Sequence, residues 1–268
     1  DGRLRLLHVV SSGGIEPVSI AVHGELVYVA NAGNGGSNYT GFHLTRDGRL
    51  EPIADSTFAL PDGSSPGDVL FNRTGRNLAG TRVGTSLIDS FAVGSDGRLT
   101  AAPGSPFAAQ GPGPFGSEFS PVDADQLFVS NAHGGPGAGT VSAFRVSRAG
   151  VLSSIGDSPF ADQQTAPCWI EITHDGRILF TVNTASQSVS SYSIARNGVL
   201  TLIGSTALRG TGLGPFDARL SPNGRTLFVI DSAGAVSALA VDGGKLTELG
   251  SSPTPTPAGA HPFGLVVN

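Results

Sequence analysis

The sequence has no methionine, one cysteine (Cys168), one tryptophan (Trp169) and one lysine (Lys245). A single cysteine excludes an internal disulfide and any paired-cysteine metal site. One lysine in a chain of net charge −5 leaves no basic stripe, which excludes recognition of nucleic acid through its phosphates. No apolar run approaches the roughly 18 residues of a membrane-spanning helix. Charged residues make up only 14%, too few for long solvated helices, and no window sustains an apolar period of 3.6 residues. The six histidines, His8, His23, His43, His133, His174 and His261, show no HxH or HExxH spacing. A zinc site is therefore not expected. The Gly-rich stretches are followed by no helix, so they form no phosphate loop and no cofactor is expected. Asp123 and Asp125 offer only two carboxylates to calcium.

What the sequence has in abundance is glycine and proline, 39 and 18 of 268 residues, and they recur. The prolines of PVSIAV, PGDVLF, PFGSEF, PCWIEI, PFDARL and PFGLVV are Pro17, Pro66, Pro114, Pro167, Pro215 and Pro262. They stand 49, 48, 53, 48 and 47 residues apart. Each unit holds four short segments rich in Val, Ile, Leu and Phe. Tight polar turns bound them: NRTGR (72–76), THDGR (173–177) or SPNGR (221–225) after the first, and RDGRL, SDGRL, RNGVL or DGGKL before the last. Asp-Gly and Asn-Gly between apolar segments mark β-hairpins.

Four antiparallel strands repeating at this period describe a propeller blade, which buries its faces only against neighbours. The expected fold is an all-β propeller forming one domain over 1–268. Its complete repeats fall at about 17–65, 66–113, 114–166, 167–214 and 215–261, with closing strands in 1–16 and 262–268. The missing methionine and the start inside a DGRL turn point to a trimmed chain, a piece of a larger ring.

The pattern Pro-x5-Ser-Pro-x-Gly-Arg-x-Leu-Phe-Val-x-Asn, with DGxL before the last strand, resembles the lactonase-like seven-bladed propellers. These include 6-phosphogluconolactonases and carboxymuconate-lactonizing enzymes. YVANA and FVSNA look like the YVTN repeats of surface-layer propellers. A WD40 propeller is excluded by the absence of any Trp-Asp pair. The resemblance implies seven blades and a lactone-ring chemistry run by a His near the start of an inner strand, with Arg and Glu from neighbouring blades. The matching positions, two residues after each proline, hold Ser19, Asp68, Gly116, Trp169, Asp217 and Gly264, none of them His. The implied Glu after the second strand is Ala32, Ala132 or Thr184.

Alternation along the first strands places Asp68, Glu118, Glu171, Asp217 and Arg219 on innermost strands, where charges are seldom left unpaired. Two readings follow. In one, Arg219 binds a carboxylate or phosphate and a carboxylate serves as base. In the other, Arg219 ties blades together through Glu171 or Asp217. Trp169 and His261 sit at the expected channel mouth as ligand contacts. Tyr39 and His133 lie in the Gly-rich loops 33–39 and 133–139. Asn31, Asn131, Asn183 and Asp231 end second strands as turn caps. Cys168 is expected as a small buried hydrophobe.

The expected function is therefore a binding module using the channel face and its long loops, on a small molecule or a protein partner. The alternative is a hydrolase or isomerase of a small cyclic ester or sugar-acid lactone. The protein is expected to be a monomer with no membrane span, exported beyond the cytoplasm.

Overall fold

The computed structural model describes residues 5–209, 214–253 and 264–267. Pro17, Pro66, Pro114, Pro167 and Pro215 each open a strand, Pro262 lies outside the described residues, and each complete repeat is an antiparallel sheet. Blade 1 holds β1 (Pro17–His23), β2 (Leu26–Asn31), β3 (Asn38–Leu44), β4 (Leu50–Pro52) and β5 (Phe58–Ala59). Blade 2 holds β6 (Pro66–Phe71), β7 (Asn77–Arg82), β8 (Leu87–Val93), β9 (Leu99–Ala101) and β10 (Phe107–Ala108). Blade 3 holds β11 (Pro114–Phe119), β12 (Gln126–Asn131), β13 (Thr140–Val146), β14 (Leu152–Ser154) and β15 (Phe160–Ala161). Blade 4 holds β16 (Pro167–Ile172), β17 (Ile178–Asn183), β18 (Ser188–Ile194) and β19 (Leu200–Ala207). Blade 5 holds β20 (Pro215–Leu220), β21 (Thr226–Asp231), β22 (Ala235–Asp242) and β23 (Lys245–Pro253). The fold is an all-β propeller, and no helix occurs among the described residues.

Contacts group the chain into two compact units. Unit 1 is residues 1–108 with 147–151, and unit 2 is 109–146 with 152–268. In unit 1, Tyr28, Ala30 and Tyr39 of blade 1 pack with Val69, Leu78 and Phe91 of blade 2. The Tyr28 hydroxyl donates to the Gly97 carbonyl in the second turn of blade 2, at 2.7 Å. In unit 2, Phe128 and Val141 of blade 3 pack with Ile170, Leu179 and Tyr192 of blade 4. Phe180 and Val182 pack in turn with Leu220, Leu227 and Leu239 of blade 5. Gln126 Nε2 donates to the Arg196 carbonyl, again a second turn of the next blade. Within each unit, neighbouring sheets thus bury their apolar faces on one another, as the repeat requires.

The expected single fourth strand holds only in blades 4 and 5. In blades 1 to 3 it breaks into a three-residue and a two-residue piece. Pro103, Pro106 and Pro159 fall in this stretch in blades 2 and 3, and a proline donates no N–H to a ladder. A serine mends the gap. Ser56, Ser105 and Ser158 hydroxyls accept the N–H of Gly41, Ser90 and Ala143 at 3.1, 3.1 and 2.7 Å. The recurring serine of the ADST, GSPF and DSPF linkers is therefore a ladder substitute.

The expected closing strands, 1–16 and 262–268, lie partly outside the described residues. Residues 5–12 and 264–267 pair into no sheet among the described residues. The N-terminal segment instead lies on blade 1, where Val10 packs against Val27, Val29 and Phe42. The Leu50 N–H donates to His8 Nδ1 at 3.2 Å.

A bulge follows the anchor proline in all five blades. The residue before the proline has positive φ in four of them: Glu16 (58°), Ser65 (43°), Gly113 (66°) and Ala166 (56°). Its carbonyl accepts an N–H from just past the second strand, as in Thr184 to Ala166 at 2.9 Å. This bond fixes the loop before the first strand to the loop after the second, at one end of each blade.

Candidate functional site

The candidate site is built in unit 2, on the neighbouring first strands β11, β16 and β20. Register sorts their side chains into two rows. Gly116, Trp169 and Asp217 are each the third residue of a strand, and Glu118, Glu171 and Arg219 each the fifth. The proline end carries the long loops. Arg219 pairs with Phe228, one step before the Leu220–Leu227 pair that leads into the SPNGR turn. At about 3.3 Å per residue the Arg219 backbone stands about 13 Å from the proline end. The charged row therefore starts from the hairpin-turn half of the strand, not from the long-loop end.

The Arg219 side chain lies among its neighbours' carboxylates. Nη1 donates to Glu171 Oε2 at 3.0 Å and to the Ala218 carbonyl at 3.3 Å, and stands 4.0 Å from Asp217 Oδ1. Its carbon Cζ sits 5.6 Å from the Trp169 ring centroid, a cation–π distance. Arg219 retains 32% of its side-chain exposure, Glu171 12% and Asp217 3%. Its hydrogen bonds among the described residues run through Nη1, and Nε and Nη2 donate to none of those residues. Glu171 Oε1 accepts the Leu220 N–H at 3.0 Å and so joins blade 4 to blade 5. Asp217 Oδ1 accepts the Ala218 N–H and Oδ2 the Leu265 N–H, both at 2.7 Å.

These positions set the ionisation of the cluster. Burial pushes the Asp217 carboxyl up to about 6, against Arg219 and the two backbone N–H groups, which pull it down. Burial works against the Arg219 charge, but Asp217, Glu171 and Glu118 outweigh it and raise the guanidinium further. A permanent cation thus sits beside a carboxyl that changes charge near neutrality. That pairing can bind and polarise a carbonyl oxygen and move a proton.

Close strand approach makes the cluster. A side chain at Gly116 would place its Cβ 2.5 Å from the Cys168 carbonyl and 2.8 Å from Trp169 Cα. Both are backbone atoms that cannot swing aside. Gly116→Ala is therefore expected to lower stability by about 1–3 kcal/mol and to quench-shift or broaden the emission of Trp169. Urea unfolding followed by that emission measures both.

Asp68 is buried in unit 1, where Oδ1 accepts the Ser19 hydroxyl at 2.7 Å and its own strand's Val69 N–H at 2.9 Å. His133 is exposed and packs on Gly113, outside the hydrogen bonds around Arg219. His261 lies outside the described residues. Tyr39 is not an exposed loop residue. It is fully buried in β3, because the strand starts at Asn38 and shortens the loop. Cys168 is buried, which raises its thiol out of the reactive range. Asp231 caps its turn, accepting Ala233 and Ala235 N–H groups. Asn131 and Asn183 do not, since each donates to two hydroxyls on the third strand, Thr140 and Ser142 or Ser188 and Ser190. Asp123 is taken by Arg145 at 2.8 Å rather than left for a metal.

One charged group escaped the sequence reading. In blade 2 the Asn column of the second strand holds Arg82, and the third-strand hydroxyl column holds Asp89. The two form a buried, two-pronged pair, Nε–Oδ2 at 2.6 Å and Nη2–Oδ1 at 2.5 Å. The Tyr39 hydroxyl donates to Asp89 Oδ2 at 3.0 Å. The signal was a coupled change in two columns of the internal repeat.

Residues 118–219 match the family model described as Lactonase, 7-bladed beta-propeller, and this span runs from Glu118 to Arg219. No curated protein matches the sequence. Among solved structures, a "putative 6-phosphogluconolactonase" from Bacteroides uniformis is 24% identical with a TM-score of 0.77, over 92% of this chain and 74% of its own. Another so described, from Bacteroides fragilis, is 24% identical with a TM-score of 0.77, over 98% and 76%. The periplasmic gluconolactonase of Pseudomonas aeruginosa is 21% identical with a TM-score of 0.72, over 89% and 72%. At these identities the likeness establishes the fold, a β-propeller.

Proposed function

We propose that the protein hydrolyses a small cyclic ester of the sugar-acid lactone type at the Arg219 cluster. The observation that carries this reading is one partly exposed guanidinium held between Glu171 and Asp217, with Nε and Nη2 spare. The family-model match over the same residues and the fold shared with lactonase-named structures support it.

The roles follow from the geometry. Arg219 holds the lactone carbonyl oxygen and stabilises the oxyanion that forms on it. Glu171 is a positioning residue, fixing Nη1 and tying it to blade 5 through Leu220. Asp217, ionised above about pH 6, accepts a proton from the attacking water. Water oxygen bonds to the carbonyl carbon, and the tetrahedral intermediate collapses with cleavage of the ring C–O bond. The ring oxygen takes the proton from Asp217 and leaves as a hydroxyl, giving the open hydroxy acid. Trp169 supplies an apolar wall.

The test is acid release from a lactone panel, followed by pH-stat against buffer alone. Turnover above buffer is expected, with kcat/KM rising through an inflection near pH 6 as Asp217 loses its proton. Asp217→Asn is expected to abolish the rise. A chain that binds the open acids, read by Trp169 emission, yet hydrolyses none of the lactones would return the protein to the binding-module reading. The specific ground for that reading is that both carboxylates already serve backbone N–H groups.

A further inference from the structure

We propose that unit 2 binds one fixed internal water where blades 3 and 4 pack, held by Asp162, Thr181 and Asn183. The sequence marks the place by three coupled departures from the repeat. The residue two before the end of the second strand is Val29, Val129 and Val229 in blades 1, 3 and 5, but Thr181 in blade 4. The residue after the Phe-Ala pair that closes a blade is Leu60 after blade 1 and Ala109 after blade 2, but Asp162 after blade 3. The fifth residue of the third strand is Phe42, Phe91 and Phe144 in blades 1 to 3, but Tyr192 in blade 4. Polar groups replace apolar ones at all three positions, and all three residues are buried.

Register brings these groups together. Across β17 and β18, Thr181 pairs with Ser190, Leu179 with Tyr192 and Asn183 with Ser188. All six therefore share one face of the sheet, the face whose Leu179 and Tyr192 pack on blade 3. Asn183 Nδ2 donates to the Ser190 hydroxyl at 2.9 Å, and the Tyr192 hydroxyl lies 3.1 Å from both Asp162 Oδ1 and the Ala161 carbonyl. The Ser190 and Tyr192 hydroxyls draw the Asp162 carboxyl down against the burial that raises it. Asp162, Thr181 and Asn183 are each 0% exposed. Yet Asp162 Oδ2, Thr181 Oγ1 and Asn183 Oδ1 meet no hydrogen-bond partner among the described residues. Turning the Asn183 amide over does not cure this, because Ser188 gives its proton to Gln164 Oε1 at 3.3 Å and meets Nδ2 with a lone pair. One water answers all three oxygens. It gives its protons to Asp162 Oδ2 and Asn183 Oδ1 and accepts the Thr181 hydroxyl, the three bonds typical of an internal water. A cation would serve the two acceptors but leave the Thr181 proton with none. The water ties residues 162–166, which lead into β16 with Trp169 and Glu171, to the second strand of blade 4.

The sign of one substitution tests this. Thr181→Val keeps the shape of the side chain and introduces the residue that blades 1, 3 and 5 already use there. With a water bound, the variant loses a hydrogen bond, and its thermal midpoint is expected to fall by about 2–4 °C. With the hydroxyl merely stranded, a methyl in its place relieves a buried polar group, and the midpoint stays or rises. Either of those overturns the proposal. A second measurement, on the parent protein, does not depend on how the variant folds. Crystallographic density is expected to show a single peak about 2.7–3.2 Å from all three oxygens. No peak there overturns the proposal. So does a peak about 2.3–2.6 Å from Asp162 Oδ2 and Asn183 Oδ1, the spacing of a bound cation such as calcium.

Discussion

Arg219→Ala will reduce lactone turnover by about 100- to 1000-fold while leaving the fold nearly as stable as before. The first half follows from its role as the one donor aimed at the developing oxyanion, since removing such a donor typically removes about 3–4 kcal/mol of transition-state stabilisation. The second follows from exposure. The Arg219–Glu171 pair keeps 32% and 12% of its side-chain surface in solvent, and partly screened pairs contribute about 1 kcal/mol or less. Glu171 also keeps its bond from the Leu220 N–H when Arg219 is gone, so its carboxylate is not stranded. Turnover of the variant and its urea midpoint, measured on one preparation, separate the two readings raised by the sequence. A large fall in turnover with a shift below about 1 kcal/mol supports the hydrolase. An unchanged turnover with a large loss of stability makes Arg219 an inter-blade strut and nothing more. Arg219→Lys sharpens the result, because a lysine keeps the charge but loses the planar fork.

How much of this was legible in the sequence depends on the scale of the signal. The blades were readable because proline spacing, Asp-Gly turns and period-two apolar segments all point to one answer. The first-strand charges were readable for the same reason, since alternation put Asp217 and Arg219 on one side. What alternation did not carry was which end of the strand they occupy. That is set by the bulge after each proline and by counting register to the hairpin turn, as in the Arg219–Phe228 pair. The long loops 33–39 and 133–139 drew attention to the other end. Tyr39 is in the core because β3 starts at Asn38, two residues earlier than a loop over 33–39 allows, and the first five residues of that strand are all buried. The broken fourth strands were marked by Pro103, Pro106 and Pro159, but their repair by Ser56, Ser105 and Ser158 needs coordinates, because a serine hydroxyl has no fixed direction in sequence.

The largest loss of stability is expected from Asp89→Ala, about 3–5 kcal/mol, a sizeable part of the whole stability of a domain. Arg82 is 7% exposed and Asp89 1%, so removing the carboxylate leaves a guanidinium charge buried without its counter-ion. The Tyr39 hydroxyl, fully buried beside it, loses its acceptor as well. Room for that ring exists because residue 80 is glycine, whose Cβ would fall 2.4 Å from Tyr39 Cζ. The protein's own repeats supply the remedy. At the same two positions blades 3 and 4 hold Asn131 with Ser142 and Asn183 with Ser190, at 2.8 and 2.9 Å, neutral pairs that carry no buried charge. The double variant Arg82→Asn with Asp89→Ser is therefore expected to recover most of what Asp89→Ala loses, because both ends of the buried pair are replaced together. Thermal and urea unfolding of the two variants beside the parent decides it. A single variant within about 1 kcal/mol of the parent would mean the pair is wetter than its 7% and 1% exposures indicate. A double variant no better than the single would mean that the bond from Tyr39, not the charge, is what blade 2 depends on.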